Sequence, residues 1–107
     1  MLKKNHRLKR IYFEEIFKSG KILHSPNFII RVLPAKSWDD VAFSVVVSKK
    51  VVQRAVLRNS NKRRVYNSLK IALESLEKPY KGAIVLKKDI RNISPKSISD
   101  ELLKTLK

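Results

Sequence analysis

Seven cations and no acid lie between Lys49 and Arg64, in the order K-K-V-V-Q-R-A-V-L-R-N-S-N-K-R-R. The chemistry open to such a set is anion binding. Arg forks hold phosphate bidentately and stack on bases, while Lys acts as a mobile point charge. Asn59 adds donor and acceptor groups suited to phosphate, a sugar 2′-hydroxyl or a base edge. No acidic residue occurs from Val41 to Leu73, so the run has no local partner in sequence. Ordinary solvated faces mix both signs. The candidate RNA-binding residues are therefore Lys49, Lys50, Arg54, Arg58, Asn59, Lys62, Arg63 and Arg64. Ala55, one turn before Asn59, is small enough for a backbone to approach closely.

The rest of the chain is built to present this run. It has 107 residues, 25 Lys and Arg against 9 Asp and Glu, and a net charge of +16. That length predicts one domain, residues 1–107, with a modest core. A hydrophobic content of 43% argues against disorder. The charge imbalance costs stability by self-repulsion, which calls for a compensating polyanion: nucleic acid first, an anionic membrane surface second. The absence of cysteine excludes disulfides, thiolate metal sites and cysteine nucleophiles. No apolar run approaches the roughly 20 residues that span a bilayer. The first ten residues form a basic arm that leads into no apolar segment, so they do not read as a secretory signal. A cytoplasmic protein is the expectation.

Along the chain, Ile11, Phe13, Ile16 and Phe17 are close to helical spacing, with Gly20 as a stop. Residues 21–33 read as strands broken at Ser25-Pro26, and 34–40 as a turn. Val41 to Val47 reads as a buried strand. Residues 51–77 contain no Gly or Pro. Their second half is helical, with Val65, Leu69, Ala72 and Leu76 in one stripe. Projected backward at about 100° per residue, that stripe meets Arg58 near its centre and Lys62 on its flank. The azimuth that packs a core in one half carries charge in the other. Residues 79–82 read as a break, 83–86 as a short buried strand. Ser94-Pro95 starts a final amphipathic helix. The order α-β-β-(β)-α-β-α predicts an α+β sandwich of helices on a sheet.

Residues 48–64 resemble the signature region of the bacterial ribonuclease P protein subunit: K-K, a spacer, A, then R-N-R and K-R. Lys49, Lys50, Ala55, Arg58, Asn59, Lys62 and Arg63 match it in spacing. Arg7-Leu8 with Phe13 and Phe17, Gly20-Lys21, and Val45 to Lys50 are similar to further segments of that family, and the resemblance runs from about residue 7 to the end. It departs at Ser60, where the pattern has a third cation, at Tyr66-Asn67, where many members have Arg-Glu, and at Arg31, where some have an aromatic.

The resemblance implies the fold order α-β-β-β-α-β-α with an unusual left-handed β-α-β crossover. It implies a protein that assists RNA-catalysed hydrolysis removing the 5′ leader of precursor tRNA. The partners are then ribonuclease P RNA and precursor tRNA, with no membrane and no small-molecule cofactor. Mg2+ is held mainly by the RNA subunit, and no protein residue is catalytic or metal-ligating; His6 and His24 stand alone. A cleft of Phe13, Phe17, Phe28 and Arg31 would hold the leader, although spacing alone favours a core for these phenylalanines. The alternatives are a ribosomal or other structural RNA-binding protein and a DNA-binding module. Both explain the charge; neither explains the match along the whole chain.

Overall fold

A computed structural model describes residues 16–106, and the elements run in the expected order. Helical residues 16–19 (α1) precede β1 (Lys21–His24) and β2 (Phe28–Pro34). A 3-10 turn at Trp38–Asp40 leads to β3 (Ala42–Val46). Then follow α2 (Ala55–Glu74), β4 (Tyr80–Leu86) and α3 (Pro95–Leu106). The Phe13 position, the basic arm and Arg7-Leu8 lie outside the described residues.

The four strands form one sheet in the order β1-β2-β4-β3. β1, β2 and β4 are antiparallel neighbours, while β3 and β4 are parallel and joined through α2. Period-two alternation sorts the side chains. Phe28, Ile30 and Val32 of β2, Phe43 and Val45 of β3, and Ile84 and Leu86 of β4 point into the core beneath α2 and α3. The α2 stripe supplies Val65, Leu69 and Ala72, with Leu76 just beyond the helix, and α3 supplies Ile98, Leu102 and Leu106. The α3 start is capped as expected: the Ser97 N–H donates to Ser94 Oγ at 3.2 Å.

β4 begins at Tyr80, three residues earlier than the sequence pattern suggests. Gly82 sits within the strand because a Cβ there would come 2.8 Å from the Arg31 carbonyl oxygen and 3.0 Å from the Phe43 ring. Glycine marks a close approach here rather than a break. α2 begins at Ala55, four residues into the stretch free of Gly and Pro. Residues 48–52 form a turn, with the Val51 and Val52 N–H groups donating to the Ser48 carbonyl and Val52 buried.

A polar clasp joins α3 to the β1–β2 turn. The Glu101 carboxylate accepts from Ser25 Oγ at 2.6 Å, the Asn27 N–H at 2.9 Å and Asn27 Nδ2 at 2.6 Å. Lys87 Nζ donates to the Ser25 carbonyl at 2.8 Å.

Candidate nucleic-acid interface

Because β3 and β4 are parallel, their C-terminal connections leave the same end of the sheet. The first carries Lys49 and Lys50 on the exposed corner of the Ser48 turn, then Arg54 at the start of α2. Arg54 is exposed and makes no side-chain cap, and the first turn of α2 has no acidic residue. The helix therefore opens with positive side chains on the positive end of its dipole, an arrangement that favours an external anion.

Along α2, Ala55, Asn59, Lys62 and Arg63 fall at i, i+4, i+7 and i+8, one continuous face. Asn59 and Arg63 are exposed and Lys62 half-buried. Ser60 is exposed and Val56 is 77% exposed, so this half of the helix is open to a partner.

Arg58, which the back-projection sets near the centre of the Val65 stripe, is half-buried. Its Nη1 donates to the Val52 carbonyl at 3.1 Å and also to the Gln53 carbonyl. One nitrogen thus pins the turn that displays Lys49 and Lys50. Arg64 is on the other flank, where its Nη1 donates to the Ile93 carbonyl at 3.2 Å. It holds the connection after β4, rather than standing on the Asn59–Arg63 face.

Asn61 went unnoticed in sequence and is fully buried. Its Nδ2 donates to the Leu57 carbonyl and its Oδ1 accepts the Ile90 N–H, each at 2.8 Å. A backward extension of the Val65 stripe by four residues would have singled it out. Tyr66, on the flank toward β3, accepts the Val45 N–H at 3.1 Å and so engages the sheet's edge strand.

The sheet's second face is a different surface. Register lines up Ile22, Arg31, Ala83 and Ser44 across it, flanked by the rows His24-Ile29-Val85-Val46 and Leu33-Lys81-Ala42. Ala83 and Ala42 give it a low floor. Arg31 rises from the middle: its Cζ is 4.8 Å from the Phe17 ring centroid and its Nη1 donates to the Phe17 carbonyl at 3.0 Å. Phe17 and Arg31, both half-buried, are brought together as a pair. Phe28 is not part of this surface. It is 0% exposed and belongs to the core, because residues 28 and 31 are three apart in a strand and face opposite sides.

This arrangement of helices on a sheet is shared with proteins of a known family. The family model described as Ribonuclease P matches residues 2–107. The chain belongs to the ribonuclease P protein family. A ribonuclease P protein component of Synechococcus elongatus is 33% identical over 86 residues, covering 77% of this chain and 70% of the relative. That of Desulfosudis oleivorans is 32% identical over 100 residues, covering 94% and 81%. Among solved structures, the ribonuclease P protein from Thermotoga maritima superposes with a TM-score of 0.78 at 24% identity, covering 94% of each chain. The Staphylococcus aureus protein gives 0.70 at 25% identity, covering 99% of this chain and 90% of that one. This ribonuclease P protein is thus a subunit of a tRNA-processing endoribonuclease, a ribonucleoprotein whose other component is RNA. No described helix is long and apolar enough to cross a membrane.

Proposed function

We propose that this subunit positions RNA and leaves the bond-breaking to its RNA partner. The observation that carries this is the composition of the cationic end: Lys49, Lys50, Arg54, Asn59, Lys62 and Arg63 are grouped there, and no acid occurs between Val41 and Leu73 to neutralise them. In this reading these residues grip backbone phosphates of ribonuclease P RNA, and Arg58 holds the turn that carries two of them. Among the described residues no three His, Asp or Glu side chains stand together to hold a metal ion. In this reading RNA phosphates would hold the magnesium, which would supply activation of water for phosphodiester hydrolysis. The protein's part is to bind and orient.

The second sheet face supplies the other half of the function. A single-stranded leader of precursor tRNA lies across the floor made by Ala83 and Ala42, between Arg31-Phe17 and Lys81. Sequence-tolerant binding of a single strand uses a basic groove with stacking platforms, and the Arg31 guanidinium set over the Phe17 ring offers one, since a base stacks on an Arg plane as on an aromatic ring. The site of action is the cytoplasm. The test compares binding of precursor and mature tRNA by the holoenzyme. Phe17→Ala and Arg31→Ala should narrow the preference for precursor tRNA while leaving affinity for ribonuclease P RNA unchanged. An unaltered preference removes this face from leader binding.

A further inference from the structure

We infer that the connection between β4 and α3, residues 87–94, is a second RNA-contacting element, and that Asn61 is the residue that positions it. The inference rests on the reading of α2 as the face that meets ribonuclease P RNA, and extends it to a segment outside the signature run.

Four observations converge. First, β3 and β4 are parallel neighbours, so the 47–54 and 87–94 connections emerge side by side. Secondly, the later one carries three cations, Lys87, Lys88 and Arg91, against one acid, Asp89. Thirdly, that acid is committed to holding Arg91. Asp89 Oδ1 accepts the Arg91 N–H at 3.0 Å, and its carboxylate takes Nε at 2.9 Å and Nη2 at 2.8 Å. Arg91 is thereby held in one orientation on an exposed loop, with Nη1 outside the pair. Fourthly, the loop is tied to the signature helix through Asn61 to the Ile90 N–H and Arg64 to the Ile93 carbonyl. A fully buried amide is a costly anchor unless both its ends are satisfied, and here both are. Lys87 is tied back to Ser25, which leaves exposed Lys88 and Arg91 as the contacting side chains.

The geometry assigns a ligand class: the sugar-phosphate backbone of a folded RNA lying over α2. Asn59, Lys62 and Arg63 occupy one side of the helix, and the loop lies along the flank marked by Asn61 and Arg64. An RNA seated on the helix meets cations on both sides. Asn61 acts through the loop and is a positioning residue.

The experiment measures binding of the full chain to ribonuclease P RNA at a series of salt concentrations. Each phosphate contact contributes a slope of ~0.9 in log K against log salt. The double variant K88A/R91A should therefore lower the slope by up to ~1.8. Wild-type affinity would then fall about tenfold more than the variant's between 50 and 200 mM salt. Asn61→Leu should lower affinity and slope in the same sense, and adding K88A/R91A to it should change little further. An anchor that served folding alone would move thermal stability and leave the slope as it was. Wild-type affinity and slope in K88A/R91A would overturn the inference. Absence of wild-type binding to this RNA would instead overturn the reading of α2 on which it rests.

Discussion

Arg58 is the residue at which the fold and the proposed RNA surface meet, and its replacement separates the two. Its Nη1 satisfies the carbonyls of Val52 and Gln53. A hydrogen bond to a charged donor contributes about 1.5–3 kcal/mol when buried. Here the side chain is half-buried and Gln53 is exposed, so that carbonyl regains water in the variant. Arg58→Ala should thus cost about 1–2 kcal/mol, a fraction of a typical 5–15 kcal/mol total. For a chain of this size that is a fall in Tm of roughly 4–16 °C, readable by circular dichroism. RNA affinity should drop further than one lost charge explains, because the Lys49-Lys50 turn loses its pin. Arg58→Lys keeps the charge on a shorter side chain whose nitrogen falls short of the Nη1 position, and it should recover the salt slope without recovering full stability. The reasoning fails if Arg58→Lys matches wild type in both Tm and affinity, or if Arg58→Ala does not fold.

The Glu101 clasp should be as sensitive: Glu101→Ala strands three donors and should cost about 2–3 kcal/mol. Glu101→Gln should cost about 1 kcal/mol, since its amide N–H groups confront one of those donors; urea midpoints will rank the three proteins. Gly82→Val should destabilise by about 1–3 kcal/mol or more through overpacking against the Arg31 carbonyl and the Phe43 ring, seen as a lower urea midpoint with an unchanged slope. The Arg91 side chain and N–H bonding to Asp89 hold that carboxyl at about 2, below its ordinary 3.8. A depressed acid contributes stability that is complete above its unfolded pKa and vanishes as pH falls through the folded one. The Asp89 contribution should therefore disappear between about pH 4 and pH 2, and carboxyl NMR should show Asp89 titrating near 2. Titration of Asp89 near 3.8 would refute the clamp on Arg91.

Much of this was legible because local signals and tertiary demand agree. The Val65-Leu69-Ala72-Leu76 stripe is the core face of α2, the Ser25-Pro26 break is the β1–β2 turn, and Ser94-Pro95 opens α3. Where they diverge, the sequence misleads in definable ways. Phe28 and Arg31 share composition cues for a cleft, yet strand periodicity puts them on opposite faces. Gly82 reads as a break until the Phe43 ring is placed beside it. The start of α2 carries no capping signal, since Arg54 makes no side-chain cap. Asn61 and Glu101 look like surface residues because their partners, Ile90, Ser25 and Asn27, are 29 to 76 positions away. Only a folded chain brings them together. The cationic run was the plainest feature in the sequence. The structure divides its labour, with Arg58 and Arg64 bonded to backbone and Asn59 and Arg63 left open.

The central claim is that this chain assists an RNA catalyst in removing the tRNA leader. The direct measurement adds purified protein to cognate ribonuclease P RNA and precursor tRNA at low magnesium, and follows release of the 5′ leader. Cleavage should rise with added wild-type protein and much less with a variant lacking Lys62 and Arg63. Cleavage that does not respond to the wild-type protein would contradict the account.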